Sequence, residues 1–299
     1  MASAQPSTAA PAPRPLPPLS PAPTPTSIVK RLFLCRHGET EPNARGVLQG
    51  SGLDEFLNKT GVRQAQYLRD RLEHTHVDLF VSSKLKIVQE RHAGKPLIEV
   101  EELAEISWGE WEGRVVPGLR SLLDQWIAGD FNAKTPGGES PLEVEARSVP
   151  ALYDIILSRP EQTMVIVVHG RLLRIMLASM LFQSLDRMNE FTHHNTCINM
   201  IDVIIETDPS RVGPAIRVDR DLLEAQLRSP LHTRELDDNV SIVTETPVVP
   251  SPPGLPGTVA SPAWPEGRKP HVSTVQHPPS LTLIPLLLDD RSHLPINMR

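Results

Sequence analysis

The apolar positions of this chain fall into short, nearly unbroken runs, and helical spacing fills the gaps between them. Leu32–Cys35, Val77–Ser83, Pro96–Val100, Thr163–Val168 and Cys197–Ile205 are such runs. Short apolar runs closed by turn residues read as strands buried on both faces. Val62, Ala65, Leu68 and Leu72 share one face of a helix from Val62 to about Leu72. Helical patterns also cover Leu119–Ala128, the residues after Ser140 through Leu157, and Arg171–Phe182. Ser140 with Glu143 forms a capping box at the start of one of them. Strands alternating with helices predict a three-layer α/β/α sandwich with a mostly parallel sheet.

The pattern fades at both ends. Residues 1–27 are Ala, Pro, Ser and Thr with almost no large apolar side chain. Such a segment cannot bury enough surface to offset its ordering entropy, so it reads as a disordered Pro-rich leader. Beyond Glu206 one short helix, Asp219–Leu227, is predicted, and from Ser229 Pro, Ser and Thr dominate. The run Leu281–Leu288 is too short to span a bilayer and is assigned to this tail. The predicted organisation is a leader at 1–27, a folded domain at 28–207 and a mostly disordered tail at 208–299.

The 31 prolines among 299 residues cluster in those ends, so the middle is closer to an ordinary globular domain. A formal net charge of −6 argues against general nucleic-acid affinity, and any anion site must gather positive charge locally. No run reaches the ~18 apolar residues of a membrane span. The amino end lacks the apolar block of a signal peptide. Cys35 and Cys197 sit in apolar runs with no disulfide framework or metal-ligand spacing. They read as buried thiols in a reducing compartment, the cytoplasm.

Chemistry gathers where two of the strand runs end. One closes in Arg36-His37-Gly38, the other in His169-Gly170. Parallel neighbours would bring both imidazoles to one edge of the sheet, where open α/β sheets bind ligands. A guanidinium grips phosphate oxygens, and an imidazole attacks phosphorus or moves a proton. Gly38 would let the backbone approach a bound anion. Asn43 and Gln49, in the polar loop Glu41–Lys59, could offer amides. Glu105 lies among Ala104, Ile106 and Trp108, apolar neighbours that raise a carboxyl pKa as a general acid requires. Trp108 and Trp111 read as packing residues, Glu110 and Glu112 as structural. His193 and His194 read as loop residues, because no carboxylate or thiol stands at ligand spacing.

Arg36-His37-Gly38-Glu39-Thr40 with Asn43 resembles the signature of the histidine phosphatase superfamily, the phosphoglycerate mutase-like enzymes. Leu103 to Gly113 resembles that family's acid-bearing segment, and Val168-His169-Gly170 its second histidine. Gly137 to Ser140 and Asn195-Thr196 also match, and the resemblance covers about Val29 to Glu206. Any one motif is weak; the ordered set is specific. The resemblance implies a phosphohistidine on His37. Arg36 and a protonated His169 would hold the phosphoryl oxygens, with Asn43 and Gly170 lining the pocket. Glu105 would protonate the leaving oxygen and then activate water. No metal or cofactor is implied. The partner is a small phosphorylated metabolite, with no nucleic acid and no membrane.

One segment departs from the family pattern. Ser82-Ser83-Lys84-Leu85-Lys86 follows it, but Ile87-Val88 stand where Arg-Ala belongs, and the next strand arrives early. Most of one helix and the pocket's second guanidinium are therefore read as missing, as in a shortened splice form or a gene-model artefact. Neither Lys86 nor Arg91 aligns with the motif. Three functions stay open. A phosphatase acting on small phosphate monoesters is favoured, because the span from Glu105 to His169 is short for a mutase with a covering insertion. The alternatives are mutase-type phosphoryl transfer and a catalytically impaired binding protein.

Overall fold

The computed structural model describes residues 15–19, 22–84, 96–228 and 269–298. Its strands are β1 (Ser27–Arg36), β2 (Leu79–Ser82), β3 (Leu97–Glu99), β4 (Thr163–Val168), β5 (Ile198–Glu206), β6 (Arg217–Val218) and β7 (Leu281–Asp290). They form one sheet in the order β3-β2-β4-β1-β5-β7-β6. Among these, β5 alone runs against its neighbours β1 and β7. The remaining pairs are parallel. The helices are α1 (Glu41–Ala44), α2 (Lys59–Leu72), α3 (Leu119–Ile127), α4 (Pro141–Ser158), α5 (Gly170–Phe182) and α6 (Arg220–Leu227). The predicted mostly parallel sheet with helices is what is observed. The polar loop after the first strand contains one short helix, α1, that hydrophobic spacing does not reveal.

β1 is buried from Val29 to its end, and its side chains divide by the period of two that a strand imposes. Leu32 and Leu34 join the large core with Leu152 of α4 and Leu172 and Ile175 of α5. Phe33 and Cys35 point the other way, onto Leu68 and Leu72 of α2. Helices therefore cover both faces, which is why these strands are unbroken apolar runs. Ser140 caps α4 as predicted: its hydroxyl accepts the Glu143 N–H, and Glu143 accepts the Ser140 N–H at 2.7 Å.

The disordered-tail reading is corrected for residues 281–290. The Leu281–Leu288 run is part of β7, an interior strand between β5 and β6, with Leu281 and Leu283 fully buried. A run too short for a bilayer is long enough for a strand, and its partners lie far back in the sequence. Pro285 is tolerated there because it pairs Ile201 beside a register shift. Residues 229–268 lie outside the described residues.

The leader reading is corrected for residues 15–19. Arg31 pairs with buried Asp202 through two bonds of 2.7 and 2.8 Å. Two further donors go to the carbonyls of Pro17 and Pro18 at 2.7 and 2.9 Å, and Leu16 packs on the Phe33 cluster. A buried guanidinium needs its donors satisfied, and the leader's carbonyls take two that Asp202 does not.

Candidate active site

Because β1 and β4 are adjacent and parallel, Arg36 stands beside Val168, and the two His-Gly pairs emerge together. The His37 N–H donates to the Val168 carbonyl at 3.0 Å. The rings of His37 and His169 lie 5.2 Å apart, tilted by 57°. His37 Nδ1 is 2.7 Å from its neighbour's carbonyl, Gly38 O. A carbonyl only accepts, so Nδ1 carries the hydrogen and Nε2 holds the lone pair. His169 Nε2 shares a hydrogen bond of 2.7 Å with the Ser83 hydroxyl.

Both rings are buried, and their pKa values are depressed. Burial, then the charges of His169 and Arg36, hold His37 well below the usual 6.5, against the opposing Gly38 bond. Burial, then Arg36 and Arg147, push His169 down to about 3. With protein groups alone around it, His169 is neutral at pH 7.

The Arg36 guanidinium donates from Nη1 to the His193 carbonyl at 2.6 Å. Gly170 makes room for it: a Cβ there would lie 3.1 Å from Arg36 Nε. Gly170 thus touches the expected anion-binding cation. Gly38 also has a packing task. A Cβ on it would come within 2.5 Å of the Gly61 carbonyl, so it lets the loop pack on α2.

Asn43 closes a capping box with Thr40 and lies beside Asn195, whose Nδ2 is 3.5 Å from Asn43 Oδ1. Asn195 Nδ2 also donates to the His37 carbonyl at 3.1 Å. The structure thus brings Asn43 to the His37 loop. Gln49 accepts from the Thr40 hydroxyl at 2.7 Å and donates to the Leu53 carbonyl, so it braces the loop.

Glu105 is buried at the start of α5. Its Oε1 accepts the N–H groups of Ile106 and Leu172, both at 2.9 Å, and Oε2 accepts that of Arg171 at 3.1 Å. Burial raises its pKa, and the three backbone donors with Arg36 oppose without overcoming that. Oε1 is filled by two donors, whereas Oε2 keeps a lone pair for a proton.

Arg147 of α4 escaped the sequence reading. Its guanidinium donates to the carbonyls of Glu102, Ala104 and Glu105, and it grips Glu139 Oε1 and Oε2 at 2.7 and 2.8 Å. Glu139 in turn accepts the Ser107 N–H at 2.9 Å. Arg147 and Glu139 thereby clamp the segment that carries Glu105. Glu112 is structural, as anticipated, accepting from the Ser107 hydroxyl and the Trp108 N–H.

The missing-guanidinium reading falls on residues 85–95, outside the described residues. His194 pairs with Asp289, its Nδ1 2.8 Å from Oδ2; the carboxylate absent nearby in sequence comes from β7. Among the described residues no three His, Cys, Asp or Glu side chains gather to hold a metal ion. Burial pushes the Cys35 thiol up to about 12 and Cys197 well above its usual range. Among the described residues no helix is long and apolar enough to cross a membrane.

The family model described as the histidine phosphatase superfamily (branch 1) matches residues 32–208. Phosphoserine phosphatase 1 of Hydrogenobacter thermophilus is 30% identical over 57% of this chain and 85% of its own. Glucosyl-3-phosphoglycerate phosphatase of Mycolicibacterium vanbaalenii is 29% identical over 51% of this chain and 75% of its own. A crystal structure of phosphoserine phosphatase with 3-phosphoglyceric acid from Entamoeba histolytica superposes with a TM-score of 0.52 at 25% identity. It covers 57% of this chain and 90% of that one.

Proposed function

Since the chain belongs to the histidine phosphatase superfamily, we propose that it hydrolyses small phosphate monoesters through a phosphohistidine on His37. The observation that carries this reading is the convergence of the His37 and His169 rings, 5.2 Å apart, at one end of adjacent parallel strands. The depressed pKa of His37 keeps it unprotonated, and its Nδ1 bond to Gly38 leaves Nε2 to attack phosphorus. As the N–P bond forms, the P–O bond to the organic group breaks, and Glu105 gives its proton to the departing oxygen. Glu105 then takes a proton from water, the water oxygen bonds to phosphorus, and the N–P bond breaks. Arg36 stabilises the equatorial oxygens, where charge spreads in the transition state. A bound dianion offsets the burial that keeps His169 neutral, so His169 gains its proton with the substrate. Asn43 offers its amide to the same oxygens. The names of the relatives support a small phosphorylated metabolite as substrate.

The test is turnover of p-nitrophenyl phosphate at mildly acid pH by the full chain and by His37→Ala, with trapping of labelled phosphoenzyme. Acid-labile label on His37, lost with activity in His37→Ala, is expected. Equal rates for the two proteins would overturn the reading in favour of a binding protein. Label passing to added 3-phosphoglycerate with little free phosphate would replace hydrolysis by mutase-type transfer.

A further inference from the structure

We propose that Asp289, in β7 and beyond the residues matched by the family model, is a positioning residue for the phosphate site. It acts through the loop at 192–196 on Arg36 and His37, and so rests on the phosphatase reading above. Asp289 is completely buried. Its Oδ2 accepts from the Thr192 hydroxyl at 3.1 Å and faces His194 Nδ1 at 2.8 Å; its Oδ1 accepts the His194 N–H at 3.1 Å. Arg291 Nε lies 3.5 Å away. One carboxylate therefore gathers three groups from a single loop.

That loop is what holds the catalytic strand end. The His193 carbonyl accepts from Arg36 Nη1 at 2.6 Å, and Asn195 Nδ2 donates to the His37 carbonyl at 3.1 Å. The Thr196 N–H reaches the Arg36 carbonyl at 3.1 Å. Asp289 is itself tied to β1 through the Asn199 side chain. Its backbone is left-handed, with φ +48, and its N–H donates to Asn199 Oδ1 at 3.0 Å, while Asn199 Nδ2 donates to the Leu34 carbonyl. A non-glycine left-handed residue persists only where its surroundings over-determine it. Here the distortion turns the carboxylate out of the strand ladder toward the loop. β7 thus closes a circuit from β1 through the loop to the guanidinium that grips phosphate.

The test compares Asp289→Ala, Asp289→Asn, Thr192→Val and Leu283→Ala in the full chain. It reads orthovanadate affinity by calorimetry, KM and kcat on p-nitrophenyl phosphate, and thermal melting. Asp289→Ala should weaken vanadate binding and raise KM about tenfold, with a smaller change in kcat. Asp289→Asn, which keeps one of the two acceptor oxygens, should recover part of this. Thr192→Val deletes one donor and leaves the carboxylate; it should raise KM about twofold, and it carries the test if Asp289→Ala does not fold. Leu283→Ala loosens the same strand and should lower the melting temperature while leaving KM unchanged. Unaltered vanadate affinity in Thr192→Val and in the folded Asp289 variants would overturn the proposal. So would an equal loss in Leu283→Ala, which would make the effect one of strand stability. Calorimetry needs no turnover, so an inactive wild-type chain would defeat the phosphatase reading and still leave the positioning role measurable.

Discussion

Glu105 accepts the backbone N–H of Leu172 at 2.9 Å, so one buried carboxyl group both caps α5 and stands as the candidate acid. The two roles separate by substitution. Glu105→Gln keeps the acceptor oxygen for the Ile106 and Leu172 N–H groups, sets an NH2 against the Arg171 N–H, and cannot give up a proton to the leaving group. It should melt between the wild type and Glu105→Ala and lose about 10²- to 10⁴-fold in kcat on an alkyl phosphate. On p-nitrophenyl phosphate, whose leaving group departs readily as an anion, the loss should be much smaller. Glu105→Ala should lose the cap as well, costing about 1 kcal/mol or more in denaturant unfolding. Equal losses on the two substrates would remove Glu105 from the acid's role.

The depressed histidines give stability a defined pH dependence. In the unfolded chain both rings take up protons near the usual 6.5, whereas folded His169 does so only at about 3 and His37 well below its usual value. The unfolded state therefore binds more protons in that window. Stability is complete above about pH 6.5 and falls as pH drops toward the folded values, by at most about 1.4 kcal/mol per pH unit per ring. Glu105 has the opposite sign. Its raised pKa gives stability that is present below its usual 4.5 and is lost as pH rises through the folded value. Urea unfolding at pH 7 and pH 5 measures the first effect, and His169→Gln should flatten the slope. In kcat the same shifts should widen the pH range in which His37 is free of its proton while Glu105 still holds one. An alkaline limb that survives in Glu105→Gln would show that another group sets it.

Gly170 separates helix stability from anion binding. It is the first residue of α5, where alanine is the better helix former, yet its added Cβ would sit 3.1 Å from Arg36 Nε and 3.2 Å from Cζ. The guanidinium is tethered to the His193 carbonyl and must turn away from the new methyl group. Gly170→Ala should keep or slightly raise the melting temperature while KM rises about five- to tenfold. An unchanged KM would mean that the Arg36 side chain is free to shift without cost.

The parts of this molecule that sequence discloses are those whose cause is local. His37 and His169 end buried strands, and a buried strand announces itself as an apolar run; their meeting needed only that the strands be parallel neighbours. Ala104, Ile106 and Trp108 beside Glu105 suggest a raised pKa, and burial raises it in the structure. What stayed hidden depends on partners far along the chain. The cap that Glu105 forms rests on N–H groups of α5, and no composition rule ties them together. Asp289 answers His194 from the far side of a long Pro-rich stretch, so β7 reads as part of a tail until its register with β5 is seen. The packing task of Gly38 is hidden in the same way, because the carbonyl that approaches it belongs to Gly61 of α2.

Arg147 is the clearest case of a hidden residue, and it yields the most direct double-mutant test. On a helix surface it reads as a solvated charge, yet it donates to three successive-loop carbonyls, those of Glu102, Ala104 and Glu105, and to both oxygens of Glu139. Burial works against ionised Glu139, but the Arg147 bond, the Ser107 N–H and the Arg147 charge together hold its pKa below the usual range. Arg147→Met keeps much of the stem and removes every donor, leaving a half-buried carboxylate and its carbonyls unsatisfied. The cost should be about 2 kcal/mol, because losing one partner exposes the other's desolvation penalty. Arg147→Met with Glu139→Gln should cost clearly less than the sum of the two single changes, since the second removes the charge that the first strands. The clamp also holds the segment carrying Glu105, so kcat on an alkyl phosphate should fall in Arg147→Met more than on p-nitrophenyl phosphate. Additive stabilities in the cycle would mean that Arg147 acts through its three carbonyl bonds alone, and equal kcat losses on both substrates would break its link to Glu105.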